Sequence, residues 1–240
     1  MEVFCRTGLY NQRNFHYRQA GAMKREDVRR RIEEFGILPG VRVSDAKLAL
    51  FAVETVHKAG IPIAEITLTV PGAVDVIHQL TSKHADFVIG AGTVLDAEMA
   101  KKCVDAGARF LTSPGLIPEV VEFAIKNEVA IIPGALTPSE VITAWKMGVD
   151  FVKIFPCSLV GGSKYIQALK VPMPHIPLIA SGGVNQSTAA GFILAGASAI
   201  GIRSELFPHE ALHMHQDKWI RELARRYMAI VRDTRAEMAN

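Results

Sequence analysis

A chain of 240 residues with 49% hydrophobic content is long enough to bury one substantial core, and one domain is the default for it. Its formal charge of +3 sits at the ends: residues 1–31 hold eight Lys or Arg against three acids, residues 217–240 six against four, and 32–216 only 13 against 17. That balance argues against a nucleic-acid groove in the fold, and with no apolar stretch of spanning length and no signal-peptide core at the N-terminus, neither membrane nor export is expected.

Residues 1–22 are polar and show no clean period, so a flexible N-terminal extension is expected there, with the folded part running from 23 to 240. Val28, Ile32 and Phe35 then recur at helical spacing among charges and predict an amphipathic leading helix from Met23 to Phe35. Strands restart after Gly36, after Gly60, near His84, after Gly107, after Asn127, after Gly148, near His175 and after Gly196, at intervals of 24, 24, 23, 20, 21, 27 and 21 residues. Each interval accommodates one strand, one loop and one helix, and eight such units predict a (β/α)8 TIM barrel. The glycines, and Asn127, fit left-handed positions that stop helices. Ser44, Asp96 and Asn185 are candidate N-caps, and Thr137-Pro138-Ser139-Glu140 is a capping box with proline at the first helical position. At the far end Trp219, Leu223, Tyr227 and Val231 form an apolar stripe, predicting a C-terminal amphipathic helix packed on the barrel. The three cysteines, Cys5, Cys103 and Cys157, form no CxxC pair, which points to a reducing cytoplasm, and Cys157 reads as a small buried thiol.

In such a barrel, chemistry belongs at the C-terminal ends of the strands. The run Asp150 to Pro156 is apolar except for Lys153, and a lysine inside a strand covered on both faces must be paired or neutralised. On the second strand Glu65 and Thr67 share a face opposite Ile66 and Leu68, so a carboxylate also points inward. Glu65 and Lys153 are either an ion pair that fixes register or a working acid and amine. Small polar groups on the same rim, Thr93, Thr112-Ser113-Pro114-Gly115 and Ser181-Gly182-Gly183, favour a site. Gly182-Gly183 and the Arg203-Ser204 turn offer bare backbone N–H groups for a phosphate, or are simply tight turns. His209 and His213 stand four apart on a helix, but no third ligand accompanies them, so no metal is expected.

The motifs Glu65-Ile66-Thr67-Leu68, Gly90-Ala91-Gly92-Thr93-Val94-Leu95, Ser113-Pro114-Gly115, Pro133-Gly134, Lys153-Ile154-Phe155-Pro156 and Gly182-Gly183-Val184, in this order, resemble the 2-keto-3-deoxy-6-phosphogluconate (KDPG) and 4-hydroxy-2-oxoglutarate (KHG) aldolases over about residues 36–207. The resemblance implies a homotrimer of (β/α)8 barrels. It also implies class I, Schiff-base cleavage of a small-molecule 2-keto-4-hydroxy acid to pyruvate and an aldehyde, with no cofactor. It implies Lys153 as the Schiff-base lysine, Glu65 as the general acid/base, Thr93, Pro114 and Phe155 as the pyruvate pocket, and Gly182, Gly183 and Ser204 as the phosphate site. Two positions depart from the family. Thr69 stands where an arginine often binds the substrate carboxylate, a task that Arg42 at the end of the first strand could assume; Arg203 stands where glycine usually precedes the phosphate-site serine, and either reinforces a phosphate or fills its place. The competing expectations are a catalytically silent barrel that binds a ligand or acts as a scaffold, and a metal-dependent aldolase built on His209 and His213.

Overall fold

The computed structural model describes residues 23–239, so the expected extension over 1–22, with Cys5, lies outside the described residues. The strands are β1 (Ile37–Val41), β2 (Ile63–Thr67), β3 (Val88–Gly92), β4 (Phe110–Thr112), β5 (Ala130–Ile132), β6 (Gly134–Ala135), β7 (Val152–Ile154), β8 (Leu178–Ser181) and β9 (Ala199–Ile202). They form one parallel sheet in the order β5-β4-β3-β2-β1-β9-β8-β7-β6. The two ends of that order, β5 and β6, are separated in the chain only by Pro133, so the sheet curls nearly shut and the two pieces act as one stave. The expected barrel of eight staves is therefore present, each stave alternating with helix.

The helices are α1 (Arg25–Phe35), α2 (Ala46–Lys58), α3 (Ala73–Lys83), α4 (Ala97–Asp105), α5 (Pro118–Lys126), α6 (Pro138–Lys146), α7 (Ser163–Lys170), α8 (Ala189–Leu194), α9 (His209–His213) and α10 (Asp217–Ala239). Helix α1 closes the end of the barrel where strands begin. Arg25 donates from Nε to both Asp150 carboxylate oxygens at 3.0 Å, just ahead of β7, and Arg31 donates to the Asp86 carbonyl, just ahead of β3. Asp150 also accepts from the Ile131 N–H at 2.8 Å; burial pushes its carboxyl up, while that bond and Arg25 oppose the shift. With the bottom closed, the open face lies at the C-terminal ends of the strands.

Several local expectations are met. Gly36, Gly60, Gly107, Gly148 and Gly196 all take positive φ after their helices. The Thr137 capping box forms, with Glu140 Oε2 accepting from the Thr137 N–H at 2.7 Å. Others are corrected. Asn127 has φ −99, and the left-handed residue is its neighbour Glu128 at φ 56. Asp45, not Ser44, caps α2, because the helix begins at Ala46 and the Asp45 carboxylate, directly before it, accepts from the Leu48 N–H at 2.9 Å. Asp96 caps α4 as expected, whereas Asn185 organises a turn before α8 by accepting from the Ser187 and Thr188 N–H groups. On α10 the buried stripe runs through Ile220, Leu223, Ala224, Tyr227 and Val231, and Trp219 is 39% exposed. Leu223, Tyr227 and Val231 are buried as expected, and Ile220 and Ala224 rather than Trp219 complete the apolar face that α10 presents where it packs against α2 and α8.

Candidate active site

Lys153 and Glu65 are each 3% exposed, and their side chains meet inside the open end of the barrel. They do so through Thr112 at the end of β4: Lys153 Nζ donates to Thr112 Oγ1 at 3.2 Å, and that hydroxyl donates to Glu65 Oε2 at 2.8 Å. The chain amine–hydroxyl–carboxylate spans β7, β4 and β2 and replaces the direct ion pair considered from sequence. Glycines make the room. A Cβ at Gly92 would collide with the Glu65 carboxylate, one at Gly90 with the Phe110 ring, and one at Gly134 with the Pro114 carbonyl. At Gly134 the glycine lets the Ser113-Pro114-Gly115 turn, tied by Ser113 Oγ donating to the Gly115 carbonyl at 2.6 Å, lie directly against the neighbouring stave.

Burial holds the Lys153 ammonium below the ordinary lysine range; Glu65 opposes that shift, and the positive charges of Arg203 and Arg42 add to it. An ordinary lysine, with a pKa near about 10.4, is neutral only about once in 2,500 molecules at pH 7, so this direction of shift supplies the nucleophilic form. Glu65 Oε1 is buried without a hydrogen bond; the nearest cation is Arg203 Nη2 at 3.7 Å. The Arg203 guanidinium lies 5.4 Å from the Phe155 ring centroid, and Lys153 Nζ 5.9 Å from the same centroid.

The remaining expected site residues fall into four places. Thr93 lies on the rim after β3 with φ 63, a conformation that costs a non-glycine residue energy and collects at functional sites. Thr69 is exposed, and its hydroxyl pairs with Thr67 Oγ1 at 2.8 Å, so it offers no charge to a substrate. Arg42, Ser44, Arg203, Ser204, His209 and His213 line a cleft of about 460 Å³ between the β1 and β9 ends and α9. This cleft opens beside Lys153 and Glu65, which are not among its walls; Arg203 belongs to both. Gly182 and Gly183 take φ 91 and 79 on the adjoining loop, Gly183 pressed on Ser158 so closely that a Cβ would collide with it. His209 and His213 rest ring on ring at 4.1 Å, and among the described residues no group of three or more His, Cys, Asp or Glu could hold a metal. Cys157 is buried, its thiol pushed up to about 11 by burial, the inert state expected of it.

Sequence reasoning placed Thr112 on the rim without giving it the central position. Its parity with Phe110, whose ring fills the space left by Gly90 inside the barrel, is the signal that it points inward.

A parallel (β/α)8 barrel with a buried amine and carboxylate joined at its open end is equipped for acid–base and nucleophilic chemistry, and likeness to known proteins makes its class that of the aldolases, carbon–carbon lyases. A profile of KDPG and KHG aldolases matches residues 28–223, and the chain belongs to that family. A 2-dehydro-3-deoxy-phosphogluconate aldolase of Haemophilus influenzae is 34% identical over 159 residues, covering 66% of this chain and 75% of that protein. The KHG/KDPG aldolase of Escherichia coli K12 is 30% identical over 190 residues, 79% of this chain and 89% of that one. Among solved structures, the KDPG aldolase of Legionella pneumophila holding pyruvate as a covalent carbinolamine superposes with a TM-score of 0.77 at 29% identity, over 87% of this chain and 98% of that one.

Proposed function

We propose that the protein is a class I aldolase that cleaves a 2-keto-4-hydroxy acid, such as KDPG or KHG, to pyruvate and an aldehyde. The carrying observation is the Lys153–Thr112–Glu65 chain. The neutral Lys153 amine adds to the C2 ketone, and the carbinolamine, taking up one proton from solvent, loses water to leave a protonated imine; that proton is given back when the imine is hydrolysed. Glu65 takes the C4 hydroxyl proton as the C3–C4 bond breaks, the electron pair flows into the imine, and the aldehyde departs. Glu65 then returns the proton to C3 of the enamine, and water hydrolyses the resulting imine to free pyruvate and the amine. Thr93, Pro114 and Phe155 border the ketone, while Arg42, Ser204 and the Gly182–Gly183 loop receive the distal anionic group. The Legionella structure, with pyruvate bound covalently, supports this reading for a relative.

The test is reduction with borohydride in the presence of pyruvate, which should add a pyruvate-derived mass to the peptide bearing Lys153 and to no other. Lack of an adduct there removes the mechanism. A pyruvate-release assay across phosphorylated and unphosphorylated 2-keto-4-hydroxy acids identifies the preferred substrate. The same reading includes a homotrimer, which the family resemblance supports; a protein cage designed by fusing symmetric oligomeric domains, which matches 86% of this chain with a TM-score of 0.78, supports an oligomer without giving its number. Light scattering on the purified chain would return a trimer mass or refute that part.

A further inference from the structure

A 2-keto acid carries its carboxyl carbon bonded directly to the ketone carbon, so whatever binds the carboxylate must lie within a few ångströms of the amine that attacks. Thr69, at the position where the family often has its carboxylate-binding arginine, is bound to Thr67 and carries no charge. Arg42, the substitute expected from sequence, is exposed and borders the cleft beside the reacting pair. Arg203 is different. Its side chain, 22% exposed, leaves the end of β9 and crosses the barrel mouth over Gly40, where a Cβ would stand 3.0 Å from Arg203 Cγ. Glycine on β1 thus gives the arginine its path. Its guanidinium ends at the same Phe155 ring as the Lys153 amine and 3.7 Å from Glu65 Oε1, an oxygen with no hydrogen bond.

We propose that Arg203 is the receptor for the substrate's C1 carboxylate, gripping it with the planar guanidinium fork while C2 adds to Lys153. This rests on the Schiff-base reading of the site. The guanidinium then exchanges its long contact with Glu65 for a close pair with the ligand, and Glu65 Oε1 is left facing the C4 hydroxyl whose proton it takes. Specificity follows from the chemistry: the site selects 2-keto acids over neutral ketones through an arginine just past the end of β9, where the family's usual glycine cannot contribute.

The experiment is borohydride trapping on the full-length chain, titrated with pyruvate and, separately, with pyruvamide, which keeps the ketone and lacks the charge. Arg203→Gln should raise the half-saturating pyruvate concentration about ten- to a hundredfold more than that for pyruvamide, the differential expected for lost charge-assisted hydrogen bonds, while the smaller rise shared by both ketones reports the charge that Arg203 lends to lowering Lys153. Arg203→Lys should recover part of the pyruvate loss, as a point charge without the fork, and it carries the test if the glutamine variant does not fold. An equal effect on both ketones would mean that Arg203 only supports the amine electrostatically, and would overturn the proposal. So would undisturbed pyruvate capture with weakened cleavage of a phosphorylated substrate, which would put Arg203 at the distal end. Failure of pyruvate to label the unmodified chain sinks the Schiff-base reading itself, whereas labelling indifferent to residue 203 sinks only this inference.

Discussion

Replacing Thr112 by valine removes one hydroxyl, keeps nearly the same shape, and cuts both hydrogen bonds that join the reacting groups. Glu65 Oε1 already lacks a hydrogen bond, so losing the 2.8 Å bond to Oε2 leaves the buried carboxylate with only the 3.7 Å contact to Arg203. A hydrogen bond to a charged group contributes about 1.5–3 kcal/mol and an ordinary one about 0.5–1.5. Adding the 3.2 Å bond from Lys153 gives an expected loss of about 2–4.5 kcal/mol. Activity should fall about a hundredfold, the size of a positioning fault of about 1 Å. Urea denaturation reports the first quantity and pyruvate release the second; Thr112→Ser should restore much of both. In the Glu65→Leu background the stability loss should shrink, since no carboxylate then remains to be stranded. Stability within about 0.5 kcal/mol and activity within about twofold of the unmodified protein would refute the idea that this hydroxyl couples amine to acid.

Three further outcomes are expected. Because burial holds Lys153 below its ordinary value, the unfolded chain binds a proton that the folded chain does not across the window between the two; stability should rise with pH through that window, whereas kcat/KM should rise only as pH passes the folded-state value at the window's lower edge and then level. Denaturation at stepped pH should show that slope diminished in Lys153→Met, and equal slopes would contradict the shift. Gly183→Ala puts a methyl group onto Ser158 and holds a non-glycine residue at φ 79, at a cost of about 1–2 kcal/mol for the conformation alone; phosphorylated substrates should lose affinity while pyruvate trapping stays intact, and the reverse pattern would detach this loop from the distal group. Arg25→Ala strands the Asp150 carboxylate under α1 and should cost about 2 kcal/mol at pH 7, discounted for the partial exposure of the arginine. Since burial raises the Asp150 carboxyl, protonation relieves the stranded charge, and the loss should shrink as pH falls through the raised value; a loss independent of pH would argue against a charge effect.

Much of this was legible in the chain itself. The spacing of restarts near two dozen residues admits one strand and one helix per unit, and glycine after a helix stops it because only glycine takes positive φ freely, so the barrel and its active face follow from local rules. Inward parity on β2 and β7 likewise points Glu65 and Lys153 into the interior. Tertiary structure alone decided how those two groups communicate, because the path runs through Thr112, 47 residues from Glu65 and 41 from Lys153, and no local pattern encodes which third stave supplies a hydroxyl. The same holds for Arg203. Its reach over Gly40 to Glu65 and Phe155 depends on the closure that sets β9 beside β1, a contact between the two ends of the strand order in the chain. Periodicity is a property of neighbours along the backbone, whereas the chemistry here depends on side chains that only ring closure brings within a few ångströms.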